Sequence, residues 1–68
     1  MKVFANRLKE LRKENLLSQN QVANALGITQ QSYARYEADT SEPSFEMLVQ
    51  ISEIFEVSCD YLLGKTDY

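Results

Sequence analysis

SQNQVANALGITQQSYARYE, residues 18–37, is the stretch that decides the fold, and it predicts two short helices joined by a tight turn. Ser18 begins the first helix, because its hydroxyl can accept from the backbone N–H groups of the first turn and Gln21 follows three residues later, as in a capping box. Gly27 lies where the chain turns sharply, a position where a left-handed backbone is least costly for glycine. Thr29 is then expected to cap the second helix.

Apolar and small residues lie where these two helices must touch. Val22, Ala23 and Leu26 form a stripe at helical spacing. Ala23 leaves room for a steep crossing by the second helix, which turns Tyr33 and Tyr36 toward the interior. The pattern is typical of a helix-turn-helix.

The outward face of the second helix is polar, with Gln30, Gln31 and Arg35 beside Ser32. Glutamine can bond adenine, and arginine can bond guanine, through two hydrogen bonds in a DNA major groove. On an arbitrary polar helix, a solvated surface would be the ordinary interpretation. Within helix-turn-helix spacing, we expect this face to read bases.

The composition excludes several classes of protein. The 68 residues are 44% apolar and 25% charged, which is typical of one small globular domain. No stretch reaches the roughly 18 apolar residues of a membrane span, and early charges interrupt any signal-peptide core. Cys59 is the only cysteine and histidine is absent, which excludes an internal disulfide and a cysteine-based metal cluster. We expect a cytoplasmic protein with no metal, cofactor, membrane contact or evident small-molecule ligand.

Catalysis is not expected. Neither Cys59 nor any serine has an imidazole base, and no glycine-rich phosphate loop is present. A chain this short has little interior in which to shape a substrate pocket. We therefore predict that the protein is not an enzyme.

Apolar residues recur at intervals of three and four, and only two glycines and one proline occur, which predicts an all-α fold of five helices. We expect helix 1 over 3–14, helices 2 and 3 within 18–37, helix 4 from a cap at Ser44 to residue 55, and helix 5 from a cap at Ser58 to residue 63. A left-handed residue is expected at Asp39, and Gly64 is expected to end helix 5. The residues expected in the core from the later segments are Leu16, Leu17, Phe45, Leu48, Ile51 and Phe55, with Met47 and Ile54 at the edge of helix 4.

The chain resembles the Cro and phage-repressor type of helix-turn-helix, the Xre family, over nearly its whole length and without gaps. The motifs that carry the resemblance are RLKELRKENLLSQ at 7–19, TQQS at 29–32, RYE at 35–37, PS at 43–44 and VSCDYLLG at 57–64. The resemblance implies a compact five-helix, lambda-repressor-like domain over 1–68 that binds double-stranded DNA through helix 3. In this family LLGKTDY, at 62–68, often leads into further sequence.

The resemblance also implies roles for single residues. Gln30, Gln31 and Arg35 would face bases, while Gln19 at the start of helix 2 would hold a backbone phosphate. The residues that would assist at the sugar-phosphate backbone are Asn24 and Ser32.

Three further positions concern the attachment of helix 3. Arg12 and Glu37 match a salt bridge between helices 1 and 3, the alternative being two exposed surface charges. Tyr33 stands where the family usually has a branched aliphatic residue. Its ring is expected to fill the same core position, and a phosphate contact by its hydroxyl remains open.

The net charge of −3 is unusual for a nucleic-acid-binding protein. Six of the seven basic residues lie between positions 2 and 35, and seven of the ten acidic residues lie from position 39 onward. The loop after helix 3 reads ADTSE at 38–42, although it is commonly basic in the Xre family. We expect specific binding with a weak non-specific background and a shallow dependence on salt.

The leading hypothesis is a sequence-specific transcriptional regulator, a repressor that binds an inverted-repeat operator as a homodimer with recognition helices about 34 Å apart. The candidate dimer contacts are Val57, Cys59, Leu62 and Leu63, the alternative for the leucines being the core. The competing hypothesis is a protein-interaction module, or an antitoxin-like partner protein, with weak DNA binding.

Overall fold

The computed structural model describes residues 2–68 and contains, within that range, five helices and no strand. The helices are α1 (Lys2–Glu14), α2 (Gln19–Leu26), α3 (Gln30–Glu37), α4 (Phe45–Phe55) and α5 (Cys59–Leu62). They pack into a body measuring 28 × 23 × 19 Å. The predicted all-α, five-helix fold is confirmed, with α5 ending one residue earlier than expected.

Four of the helices begin at the capping residues that the sequence predicts. In each case a hydroxyl accepts a hydrogen bond from a backbone N–H three residues later, and the capping residues are Ser18, Thr29, Ser44 and Ser58. At α2 the capping box is complete, because the Gln21 side chain accepts from the Ser18 backbone N–H at 2.8 Å. These caps satisfy backbone donors that have no partner within the helix itself.

The turn between α2 and α3 depends on backbone conformation at Gly27. Its φ is 73°, and its N–H donates to carbonyls at the end of α2. A Cβ added at Gly27 would meet no atom within 4 Å, so the requirement is for the left-handed backbone and not for space. Asp39 also has a positive φ, as expected, and so does Gly64 after α5.

The core lies where all five helices meet. The buried apolar side chains are Phe4, Ala5, Leu8 and Leu11 from α1, Val22, Ala23 and Leu26 from α2, Tyr33 from α3, Ile51 and Phe55 from α4, and Leu62 from α5. Helix α3 packs against both α1 and α2, so one face of α3 is covered and the other is left at the surface.

Two residues that we expected in the core are at the surface. Leu16 is 90% exposed, because its left-handed backbone (φ 56°) ends the turn after α1 and only its neighbour Leu17 packs against the core. Phe45 is 89% exposed. It is the first residue of α4 and borders an open groove, whereas Leu48 and Ile51 further along the helix reach the core.

The described residues lack two kinds of feature. None of the helices within 2–68 is long and apolar enough to cross a membrane. In the same range, no group of three or more acidic, cysteine or histidine side chains is arranged to hold a metal ion.

Candidate nucleic-acid interface

Helix α3 displays the three side chains predicted to read bases. Gln30, Gln31 and Arg35 are all exposed. Gln31 and Arg35 are one helical turn apart and therefore lie on the same face, while Gln30 is the first residue of the helix. Amide and guanidinium groups presented in this way can donate to and accept from base edges.

The residues predicted to assist at the DNA backbone lie on either side of the turn. Asn24 is exposed on α2. The half-buried Ser32 belongs to the cap of α3, because its backbone N–H donates to the Thr29 hydroxyl oxygen at 3.1 Å and its own hydroxyl oxygen accepts from Thr29 at 3.0 Å. Donation by the Ser32 hydroxyl to a phosphate is compatible with both bonds, since an oxygen that accepts can still donate.

Beneath the exposed face, Tyr33 anchors α3 in the core. Its side chain is fully buried, and its ring meets that of Tyr36 edge-on, with centroids 6.3 Å apart and planes at 81°. Such edge-to-face contact is a favoured geometry for aromatic pairs. A phosphate contact by Tyr33 is excluded by this burial, and the core interpretation holds.

The structure brings Arg12 and Glu37 together between α1 and α3. The Arg12 Nε donates to Glu37 Oε2 at 2.7 Å, and Nη2 donates to Oε1 at 3.1 Å. The two side chains are only 13% and 4% exposed, so the pair is not a surface ion pair. This two-pronged geometry is the strong form of a carboxylate–guanidinium contact. It fixes the end of α3 to α1.

Glu37 has two more donors that sequence reasoning missed. The Tyr33 hydroxyl donates to Oε2, and the Gln19 Nε2 donates to Oε1 at 3.2 Å. The sequence signal for the first was the spacing of four between Tyr33 and Glu37 on one helix. The second links residues 18 positions apart and has no local signal.

The protonation states follow from these contacts. Burial opposes ionisation of Glu37, but hydrogen bonds from Arg12, Tyr33 and Gln19 outweigh it and lower the pKa of the carboxyl. The hydrogen bond to Glu37 raises the pKa of Arg12 above its ordinary value, although burial acts against it. Burial, together with the bond to Glu37, raises the pKa of the Tyr33 hydroxyl well above its ordinary value. The network therefore holds one carboxylate, one guanidinium and one neutral phenol near neutral pH.

A second arginine, Arg7, makes contacts within the protein that the sequence did not predict. Arg7 donates to the backbone carbonyls of Tyr61 and Thr66, the latter at 2.6 Å, and its guanidinium lies 4.3 Å from the centre of the Tyr61 ring. It also approaches Asp67 at 3.5 Å, which is an exposed contact of little energetic weight. Arg7 thus fastens the segment after α5 to α1.

These internal contacts reduce the number of basic side chains that are free to bind a partner at the surface. Arg7 and Arg12 are engaged within the protein, and the exposed basic residues are Lys2, Lys9, Lys13, Arg35 and Lys65. Arg35 is the only one of these five that lies on α3. The polar face of α3 consequently depends on amides more than on charge.

The candidate dimer residues do not share one environment. Leu62 is fully buried, which assigns it to the core and corrects its inclusion among surface contacts. Val57 and Cys59 are half-buried, and Leu63 is 44% exposed. Leu63 also lines an open groove of about 170 Å³ on the same side as the exposed Phe45; the other residues lining this groove are Phe4, Glu42, Pro43 and Leu48.

A comparison with known families decides the affiliation. The family model described as helix-turn-helix matches residues 8–62 of this sequence. The chain belongs to the Xre-type helix-turn-helix family. This confirms the resemblance stated from the sequence motifs and agrees with the observed α2–turn–α3 unit.

Similar proteins carry related descriptions. The Bacillus subtilis protein YobD, described as an uncharacterized HTH-type transcriptional regulator, is 40% identical over 65 residues, which cover 96% of this chain and 58% of YobD. The Vibrio cholerae O1 protein RstR, described as a cryptic phage CTXphi transcriptional repressor, is 39% identical, with coverage of 87% and 53%. A crystal structure of a transcriptional regulator from Listeria innocua superposes with a TM-score of 0.85 at 33% identity, covering 90% of this chain and 57% of that one. This helix-turn-helix chain therefore spans little more than half the length of these relatives.

Proposed function

We propose that residues 1–68 act as one DNA-binding domain of a transcriptional regulator that inserts α3 into the major groove. The observation that carries the proposal is that α3 exposes Gln30, Gln31 and Arg35 to solvent. On its other side, α3 is held against α1 by the buried Arg12–Glu37 ion pair. A rigid helix with free amide and guanidinium groups suits direct recognition of bases. The names of the related regulators support a role in regulation, and that of RstR supports repression in particular. The proposed regulator acts in the cytoplasm and catalyses no reaction.

In this proposal, Arg35 bonds a guanine through two hydrogen bonds, and Gln30 and Gln31 discriminate neighbouring base pairs. Gln19, Asn24 and Ser32 contact sugar-phosphate groups on the two sides of the groove. Because Arg35 is the one basic residue on α3, neutralisation of phosphates by this helix contributes little. We expect weak non-specific binding and a shallow dependence of affinity on salt.

The test begins with selection of bound genomic DNA fragments by the wild-type chain, followed by binding measurements on a selected duplex and its single-base variants. Arg35→Ala is expected to weaken binding by about 1–3 kcal/mol and to abolish preference at one base position. Arg35→Lys, which keeps the charge but not the planar fork, is expected to lose the same preference.

The control is Lys65→Ala, which removes an exposed cation far along the sequence from α3 and is expected to bind normally. If Arg35→Ala weakens binding equally for every sequence, Arg35 contacts phosphate and the proposed base contact is wrong. If Arg35→Ala leaves DNA binding unchanged, Arg35 makes no contact with a base and its proposed role is wrong. Weak or absent DNA binding by the wild-type chain favours the alternative of a protein-interaction or antitoxin-like role, which the acidic half of the chain also suits.

We further propose that the regulator binds an inverted repeat as a homodimer, with a second copy of this chain covering the groove beside Phe45. A two-fold interface uses the same patch on both copies, and here an exposed aromatic ring adjoins an apolar groove that could receive its counterpart. Leu63 lines the same groove, and the other two candidate contacts, Val57 and Cys59, are half-buried and precede Leu63 in the sequence.

Phe45→Ser tests this surface. Because Phe45 is 89% exposed, the monomer is expected to keep its thermal stability while the dimer dissociation constant rises more than tenfold in sedimentation equilibrium. Leu16→Ser, which alters a leucine that is 90% exposed and does not line the groove, is the matched control. An unchanged dissociation constant for Phe45→Ser would place the interface elsewhere.

A further inference from the structure

Glu37 is the centre of a four-donor cluster in which each carboxylate oxygen accepts two hydrogen bonds. Oε2 accepts hydrogen bonds from Arg12 Nε and from the Tyr33 hydroxyl. Oε1 accepts hydrogen bonds from Arg12 Nη2 and from Gln19 Nε2. The Glu37 side chain is 4% exposed, so these bonds are hardly shared with solvent. A carboxylate held by donors on both oxygens cannot rotate without losing several bonds together.

The Tyr33 hydroxyl is not needed to fill the core. A phenylalanine ring would occupy nearly the same volume and would bury no polar atom. The hydroxyl is nevertheless satisfied, since no buried side-chain nitrogen or oxygen in the described residues lacks a partner. The hydroxyl donates to Glu37 Oε2, one helical turn away on α3, and it also interacts with the Arg12 side chain that holds the same carboxylate. The contribution of the hydroxyl is therefore to the orientation of the carboxylate.

The other oxygen of that carboxylate orients Gln19. Gln19 is the first residue of α2 and is half-buried, and its side-chain nitrogen carries two hydrogens. One hydrogen is engaged with Glu37 Oε1 at 3.2 Å, which leaves the second for a partner outside the protein. A long glutamine side chain that is already fixed loses less conformational freedom when it binds.

We propose that Tyr33 is a positioning residue for the DNA-backbone contact of Gln19, acting through the carboxylate of Glu37. Tyr33 touches no DNA. Its hydroxyl and Arg12 fix Glu37, Glu37 fixes the amide of Gln19, and Gln19 meets the phosphate in a prepared orientation. The inference deepens the proposed function and rests on it, because it requires Gln19 to contact DNA.

The test compares Tyr33→Phe, Gln19→Ala and the double variant on a selected duplex and on an unrelated duplex. Gln19→Ala is expected to weaken binding about tenfold, since a hydrogen bond to a charged group is lost. Tyr33→Phe is expected to weaken binding about threefold to fivefold, by the same factor for both duplexes, because a backbone contact carries no sequence information. In the Gln19→Ala background, Tyr33→Phe is expected to have almost no further effect. The salt dependence is expected to stay unchanged, because no charge is removed.

A spectroscopic measurement separates positioning from a loss of fold. The side-chain amide signals of Gln19 in nitrogen-15 spectra are expected to move toward those of a free glutamine in Tyr33→Phe. Tyr36→Phe is the matched control, since Tyr36 is a half-buried tyrosine on the same helix and its hydroxyl has no place in the cluster. It is expected to leave both the Gln19 signals and the affinity unchanged.

The outcomes distinguish a failure of the inference from a failure of the proposed function. Additive effects of Tyr33→Phe and Gln19→Ala, or unmoved Gln19 signals, overturn the positioning role and leave the proposed function intact. Normal binding by Gln19→Ala, with weakened binding by Arg35→Ala, removes the Gln19 contact and the inference but again not the proposed function. Absence of DNA binding by the wild-type chain overturns both.

Discussion

Replacing Arg12 with methionine is the sharpest test of how α3 is held. The substitution keeps the length and apolar stem of the side chain but removes both bonds to Glu37, at 2.7 and 3.1 Å. The carboxylate is then left in a site where it is 4% exposed, with only Tyr33 and Gln19 as donors. We expect Arg12→Met to destabilise the fold strongly.

The magnitude follows from the burial of the pair. Removing one partner of a buried ion pair costs about 3–5 kcal/mol, because the remaining charge is desolvated without compensation. A chain of 68 residues has a total stability of only about 3–10 kcal/mol. At about 4–8 °C per kcal/mol for a domain of this size, the melting temperature is expected to fall by at least about 12 °C.

Thermal unfolding followed by circular dichroism at neutral pH measures the effect, with urea unfolding as a second measure. The companion variant Arg12→Met, Tyr33→Phe, Glu37→Met removes the ion pair and the phenol hydroxyl together. The half-buried Gln19 amide loses its bond to Glu37, and the Leu17 carbonyl loses its bond from Arg12 Nη1 at 3.0 Å. The variant is expected to recover most of the lost stability, because no buried charge is left unpaired. A loss below about 1 kcal/mol for Arg12→Met alone is the behaviour of an exposed pair and would refute the reasoning.

Two further predictions concern the core and the response to pH. Ala23→Leu is expected to lower the free energy of unfolding by about 1–3 kcal/mol, because Ala23 is fully buried where α2 meets its neighbours; an unchanged melting temperature would exclude the close crossing. The pKa of Glu37 is lower in the folded state than its ordinary 4.5, so its contribution to stability is present above that pH and is lost as the pH falls through the folded value. Conversely, the raised pKa of Tyr33 predicts declining stability as the pH rises above 10, where the unfolded tyrosine ionises first. Urea unfolding at a series of pH values measures the loss of stability on the acid side and on the alkaline side. Glu37→Gln is expected to reduce the loss of stability at low pH. If that loss is unchanged in Glu37→Gln, it is caused by other carboxyl groups.

Features that depend on neighbours in sequence could be predicted from the sequence. Each cap hydroxyl, such as those of Ser18 and Ser44, bonds a backbone group three residues away, so the residue type and its position suffice to specify the contact. The same is true of the turn at Gly27, where the backbone conformation itself selects glycine. The helix boundaries and the exposure of Gln30, Gln31 and Arg35 followed from these signals.

Burial at the ends of helices could not be predicted in the same way. Phe45 and Leu48 are three residues apart and satisfy the same periodicity, yet only Leu48 packs against the core. Leu16 and Leu17 are adjacent and equally apolar, and the left-handed backbone at Leu16 determines which of them turns inward. Periodicity specifies a face of a helix, whereas the neighbours in space determine how far along that face the contact extends.

The amino-acid order by itself determined that this chain forms five capped helices, that the second and third make a helix-turn-helix, and that the outer face of the third is polar. Those outcomes rest on interactions within one or two helical turns. Tertiary structure alone decided that Gln19 joins Arg12 on the carboxylate of Glu37, and that Arg7 is engaged with the backbone carbonyls of Tyr61 and Thr66. These contacts join segments that are far apart in the sequence, and their geometry exists only once the helices have packed.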